Sequence, residues 1–279
     1  MTAGVSSSRV NTSTTQLQQF SNRSDPSSRW VEWIECESSW TNDDLMAEIL
    51  RVPNGTIQVQ FLFCNFRDMD FSFLDLPNWK NLSRLYVTYG TLVEFKSMPF
   101  LPGLTALFVG VSDFRQWYDP RLTPNLKEIR LMEIPSDAVA EPILNTIRLG
   151  YWNQLEMLAF EFTNMTRIPS MVNDFYRLHM FEFRYSSMLK TLPTGTFTAR
   201  FNPKYIRIDD CGLTSIEVGA FQGRFSVSEY IKIRALNSLL YYYFQSQETI
   251  TIAQSLFKAY PSKPIYEFFI IYTQYQTKL

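Results

Sequence analysis

Apolar residues return along this chain on one fixed template. Leu82, Leu85, Val87, Leu92 and Phe95 occupy relative positions 1, 4, 6, 11 and 14 of one segment. The pattern recurs from Leu104 (Leu107, Val109, Phe114, Trp117), from Leu155 (Leu158, Phe160, Met165, Ile168) and from Pro203 (Ile206, Ile208, Leu213, Ile216). From Leu178 it reads Phe181, Phe183, Leu189 and Leu192, with one extra residue near Ser186. Weaker copies begin at Thr56 (Val59, Phe61, Phe66, Met69), Leu126 (Ile129, Leu131) and Ser228 (Ile231, Ile233). The starts at 56, 82, 104, 126, 155, 178, 203 and 228 lie 26, 22, 22, 29, 23, 25 and 25 residues apart. Self-similarity at a period of roughly 20–29 residues is the signature of a stacked repeat array.

Strand side chains alternate, so positions 4 and 6 share a face and point into the core, while positions 3 and 5 point out. A single unit cannot bury its apolar face alone, and stacking supplies the stability. The pattern therefore predicts an α/β solenoid of about eight repeats. Its curved parallel sheet has one short strand per repeat, centred near Val59, Leu85, Leu107, Ile129, Leu158, Phe181, Ile206 and Ile231. The longest unit, 126–154, has a Ser136-Asp137 cap followed by Ile143 and Ile147, which reads as a short convex-side helix interrupted near Pro142. Four regions follow: a disordered Ser/Thr-rich stretch at 1–29, an N-terminal cap at 30–55, repeats over 56–240, and a C-terminal cap or tail at 241–279.

Composition narrows the function classes. Hydrophobic residues make up 46% of the 279 and charged residues 19%, enough for a large core and too apolar for wholesale disorder. With 26 basic against 27 acidic residues, nothing favours nucleic acid or an anionic membrane as partner. The 23 Phe and 15 Tyr against 10 Gly suit a core filled by rings rather than glycine-lined phosphate loops. The longest apolar runs, Leu239–Phe244 and Phe268–Ile271, fall far short of the roughly 18–20 residues of a membrane-spanning helix, so no transmembrane segment is expected. Residues 1–29 hold no apolar block of signal-peptide type, so an exported protein would carry its signal outside this chain. Five Asn-x-Ser/Thr sequons, at Asn11, Asn22, Asn54, Asn81 and Asn164, exceed the about two expected by chance and lean towards export.

Residues 155–221 carry a family likeness. The phrases Thr166-Arg167-Ile168-Pro169, Leu192-Pro193-Thr194-Gly195-Thr196-Phe197 and Leu213-Thr214-Ser215-Ile216, ending in Gly219-Ala220-Phe221, resemble those of extracellular leucine-rich-repeat proteins. Ile34-Glu35-Cys36 followed by Asn42-Asp43-Asp44-Leu45 is similar to arthropod members, a group that includes the non-catalytic subunit of a shrimp luciferase. The likeness spans about residues 30–240 and implies a horseshoe that binds macromolecules. Family ectodomains often pair cysteines in their caps, whereas here Cys36 stands alone and no cysteine follows Cys211. Cys64 and Cys211 fall at position 9, where such repeats turn Asn or Cys inward to bond the adjacent backbone. Six strand steps of about 4.8 Å put some 29 Å between them, beyond disulfide reach.

The outward strand positions are the candidate binding site. Arg84, Met157, Met180, Tyr205 and Tyr230 stand at position 3, and Tyr86, Phe108, Arg130, Glu182 and Arg207 at position 5. Tyr, Phe, Met and Arg together are the mix enriched at protein–protein hot spots, although an ordinary solvated sheet face would also carry some aromatics. The single histidine, His179, falls at a strand margin, and adjacent Asp209 and Asp210 would face opposite ways. No GxGxxG, GxxxxGK[ST], HExxH or GxSxG motif occurs. The sequence thus points to a non-catalytic, secreted binding protein with no cofactor or metal, glycosylated at Asn54, Asn81 and Asn164. It recognises a protein or other macromolecule through its concave face. The alternatives are an accessory subunit of a secreted enzyme and a cytosolic repeat adaptor.

Overall fold

The segments that carry the apolar template are strands of one open sheet. The structure, a computed structural model, describes residues 31–110, 113–114, 116–198, 200–201, 203–217, 219–221, 230–235 and 241–244. The stretch 1–29, read above as disordered, the tail beyond 244, and Asn11 and Asn22 lie outside the described residues. The strands are β1 (Val31–Glu35), β2 (Gln58–Leu62), β3 (Arg84–Thr88), β4 (Ala106–Gly110), β5 (Glu128–Met132), β6 (Met157–Glu161), β7 (Met180–Arg184), β8 (Thr191–Leu192), β9 (Tyr205–Cys211), β10 (Ser215–Ile216), β11 (Tyr230–Ala235) and β12 (Tyr241–Phe244). Ten of them form a sheet in the order β1-β2-β3-β4-β5-β6-β7-β9-β11-β12, parallel throughout except for the last pair.

The register follows the template. From β2 to β11, Val59, Leu85, Leu107, Ile129, Leu158, Phe181, Ile206 and Ile231 are paired strand by strand. The first seven are fully buried, as are Phe61, Val109, Leu131, Phe160, Phe183 and Ile208 at position 6. Each such side chain contributes about 1.5–3 kcal/mol of hydrophobic stabilisation. On the far side the chain returns through 3₁₀ turns at Phe71–Asp75, Pro77–Trp79, Pro120–Leu122 and Ser170–Asp174. A second parallel ladder, β8 with β10, ties two returns together. Between the two sides lie rings in edge-to-face contact, among them Phe61 against Phe66 and Phe71 against Phe95.

Position 9 carries inward polar contacts. The hydroxyls of Thr163 and Ser186 lie 2.9 Å apart, and the Cys211 thiol sits 3.3 Å from the Phe183 carbonyl on the neighbouring strand. Burial pushes the Cys211 thiol up to about 12. Gly90 holds this position in its unit because a Cβ there would meet the Cys64 carbonyl oxygen at 2.0 Å.

Two expectations need correction. Cys36 is not alone and Cys64 is not a free thiol, for the two form a disulfide across 28 residues with Cα atoms 4.9 Å apart. The cause is β1, which lacks the template's spacing yet pairs with β2 in the same parallel register, Glu35 opposite Leu62. Cys36 donates its N–H to the Leu62 carbonyl at 2.9 Å and so emerges beside Cys64. The expected break at Pro142 is also absent, because helix α2 (Asp137–Tyr151) runs through it. Pro142, the sixth residue of the helix, forgoes one intrahelical hydrogen bond, while the turn before it is closed by Ala140 donating to the Ser136 carbonyl at 3.2 Å. Ile143, Leu144, Ile147 and Tyr151 beyond it are buried and hold the helix down.

The cap between β1 and β2 holds helix α1 (Asn42–Arg51). Thr41 and Asp44 form a capping box: the Thr41 amide donates to the Asp44 carboxylate at 2.8 Å, and the Asp44 amide to the Thr41 hydroxyl at 3.3 Å. Leu45 and Ile49, four residues apart, are the face it buries.

Candidate functional site

The open face of the sheet presents positions 3, 5 and 7 of each strand. Position 5 runs Trp33, Gln60, Tyr86, Phe108, Arg130, Ala159, Glu182 and Arg207 from β1 to β9. The Tyr86 and Phe108 rings stack with centroids 4.0 Å apart and planes 10° from parallel. The Arg130 guanidinium lies 5.3 Å from the Phe108 centroid on the next strand. Phe108, expected to be an exposed contact, is thus closed between its neighbours and only 8% exposed.

Arg130 also opens a network of ion pairs. It reaches Glu161 at 2.8 Å, Glu182 at 3.3 Å and Glu128 at 3.4 Å, and its Nη2 lies 3.6 Å from the Met157 sulfur. Arg184 approaches Glu161 at 3.4 Å and Glu182 at 3.6 Å. Arg207 lies 3.7 Å from Glu182 and donates to Asp209 at 2.7 Å. Glu182 therefore sits among three guanidiniums and is 6% exposed, so it too is buried rather than presented. Burial opposes the charge on Arg184, but the Tyr185 hydroxyl, Glu161 and Glu182 together hold its pKa above the ordinary guanidinium value. Three arginines thus meet Glu128, Glu161, Glu182 and Asp209, and the sheet register sets Lys232 beside Arg207 and Arg234 beside Asp209 on β11.

Of the other expected contacts, Arg84 and Tyr205 are exposed, and Met157, Met180, Tyr86 and Arg207 are half-buried. Tyr230 pairs with Tyr205 in the sheet, and its side chain lies outside the described residues. His179 is exposed at its strand margin, and Asp209 is buried against Arg207 rather than paired with Asp210. Asn54, Asn81 and Asn164 are all exposed. Among the described residues no helix is long and apolar enough to cross a membrane, and no group of three or more His, Cys, Asp or Glu residues is placed to hold a metal ion.

Sequence reasoning missed positions 7 and 8. Glu161, Arg184 and Asp209 all stand at position 7, which a strand two residues longer would have turned outward with positions 3 and 5. Position 8 is where the chain leaves the sheet: Phe63, Tyr89, Glu133, Phe162, Tyr185 and Asp210 share a φ of 54–60°. Non-glycine residues held this way cost about 1–3 kcal/mol each. The amides of Phe63, Glu133, Phe162 and Tyr185 offset that cost by donating, at 2.9–3.1 Å, to the position 7 carbonyl of the neighbouring strand. The bend turns the side chains out along a rim, where Phe63 stacks on Tyr89 at 5.7 Å and Phe162 on Tyr185 at 4.7 Å. Phe63, Tyr89 and Phe162 are each about half exposed.

On the far side lies an open groove of about 750 Å³ lined by Arg148, Leu149, Trp152, Asn173, Asp174, Tyr176 and Arg200. No protein-family model and no curated protein matches the chain.

Proposed function

We propose that the chain is a leucine-rich-repeat solenoid of the extracellular kind and binds another macromolecule through the concave face of its sheet, without catalysis of its own. The observation that carries the reading is the register: eight template segments align residue for residue, which stacks their outward positions into rows. Arg, Tyr and Met gathered on a rigid sheet bury area at low entropy cost and add directional hydrogen bonds. The disulfide favours an oxidising compartment over the cytosolic adaptor. Three exposed sequons point the same way. An accessory subunit of a secreted enzyme is the second reading, favoured by the half-exposed rim aromatics, which suit a lasting apolar interface.

The test is a pull-down with the intact chain from extracellular fluid, followed by affinity measurement on the recovered partner. Replacing both Tyr86 and Tyr205 by Ala should weaken binding by more than about fivefold with circular dichroism unchanged. Unchanged affinity moves the site to the Trp152 groove, and turnover of a substrate by the chain alone overturns the non-catalytic reading.

A further inference from the structure

We infer that the concave face holds a slot for one arginine side chain of a protein partner, walled by Trp33 and Tyr86 and floored by Gln60. The slot rests on the binding role proposed above for this face. It lies at an interruption in the position 5 row. Tyr86, Phe108 and Arg130 stack without a gap on β3, β4 and β5, so the guanidinium covers one end of the aromatic pair. At the other end the neighbour of Tyr86 is Gln60, and the next aromatic, Trp33, stands one strand further on.

The dimensions select a flat group. Two strand steps place the Trp33 and Tyr86 backbones about 9.6 Å apart. A planar group touching a ring on either side at about 3.5–4.0 Å needs about 7–8 Å between the rings. One layer fits, and two do not. Trp33 is 65% exposed and stacks on no other ring among the described residues. The Gln60 amide, half-buried below, makes no hydrogen bond among the described residues, so its oxygen is available to accept from an entering N–H.

Charge decides which flat group it is. Glu35 stands two residues beyond Trp33 on the same face of β1, exposed and with no ion-pair partner among the described residues. Arg84 borders the hydroxyl of Tyr86 on the same strand, at the opposite end from Glu35's level, and leaves the ring face towards β2 uncovered. A guanidinium is planar, cationic and weakly hydrated, and it stacks on rings; an ammonium is compact and strongly hydrated, a Phe ring has no donor for the Gln60 oxygen, and a Tyr or Trp ring brings Glu35 no opposite charge. The chain itself places an arginine on an aromatic face twice, Arg130 on Phe108 at 5.3 Å and Arg184 on Tyr185 at 4.8 Å. Phe63 and Tyr89, stacked at the rim on the Glu35 side, offer an apolar track for the aliphatic stem.

The intact, disulfide-bonded chain is titrated with three capped tripeptides, acetyl-Ala-Xaa-Ala-amide, in which Xaa is arginine, its neutral planar analogue citrulline, or lysine. The readout is the Trp33 indole N–H resonance, assigned through Trp33→Phe. A saturable shift at millimolar arginine peptide is expected, at least fivefold weaker with lysine or citrulline, and weakened at least fivefold by Glu35→Gln, which leaves the stack untouched. Tyr86→Ala should abolish it. An unmoved Trp33 resonance, or equal responses to the three peptides, overturns the slot. The face reading fails separately: it falls if the recovered partner ignores the Tyr86/Tyr205 double variant. If that variant weakens the partner while the Trp33 resonance stays still, the slot alone is wrong.

Discussion

Replacing Cys36 by Ser should destabilise the protein by about 3 kcal/mol, although no apolar contact of the repeats is touched. The disulfide closes a separation of 28 residues. Loop-closure entropy for that length, about 12 cal/mol/K, corresponds to about 3.6 kcal/mol at 25 °C. Two side effects are small. The new serine hydroxyl would stand at a site 8% exposed, within reach of water. The freed Cys64 thiol would lie 3.3 Å from the Leu62 carbonyl oxygen and 3.8 Å from that of Ile34, so it could donate as Cys211 now donates to Phe183. In the disulfide that sulfur carries no proton and those contacts are not hydrogen bonds.

The assay has two parts. Denaturant melts of wild type and Cys36→Ser give the stability difference, and a thiol titration reports the bond itself. Of the three cysteines, none should react in the native protein at neutral pH, because Cys211 is buried with its thiol held protonated. One should react after denaturation without reductant, and three after reduction. Three reactive thiols in the unreduced, denatured protein would refute the bond, and a stability loss below about 1 kcal/mol would refute the entropic account of it.

Two further outcomes bear on the core and the face. Leu158→Ala should cost about 2–5 kcal/mol and Glu156→Ala no more than about 0.5 kcal/mol in the same melts. Leu158 is fully buried, whereas Glu156 forms an exposed pair with Lys127, so equal losses would show the register to be wrong. Glu182→Ala should cost about 3 kcal/mol, at the low end for a broken buried pair, because Glu161 and Asp209 still hold the three arginines. Glu182→Gln, which keeps an acceptor, should lose less.

The strands were legible in the sequence because each one repeats a spacing that only a pleated segment with one buried face explains. Leu85, Leu107 and Ile129 announce one another at 22-residue intervals, and their pairing follows. β1 was not legible, since Val31–Glu35 has no copy of positions 11 and 14 behind it, and with it went the disulfide and Trp33. β12 was hidden for a similar reason. The template ends before Tyr241, and antiparallel pairing with β11 follows a reversal that no repeat spacing encodes. Pro142 misled because a proline weakens a helix locally, whereas the fate of α2 was decided by the four buried residues that follow.

The open face was legible as a set of positions but not as an energy map, and Ala159 shows why. Its position in the row reads as a gap between Arg130 and Glu182. In the structure the gap is what lets Arg130 reach across β6 and meet Glu182 on β7 at 3.3 Å. A larger side chain at 159 would block that path and leave Glu182 with two guanidiniums instead of three. One small residue thereby divides the face. From β5 to β9 the charges are already paired, and a partner docking there must desolvate satisfied ion pairs for little gain. From β1 to β3 the aromatic surface is open and Glu35 is unpaired among the described residues. Position alone gave both halves equal standing. On the binding role proposed above, the open surface of β1 to β3 and the exposed Tyr205 ring are what the face leaves to a partner, and the paired charges between them hold the sheet rigid.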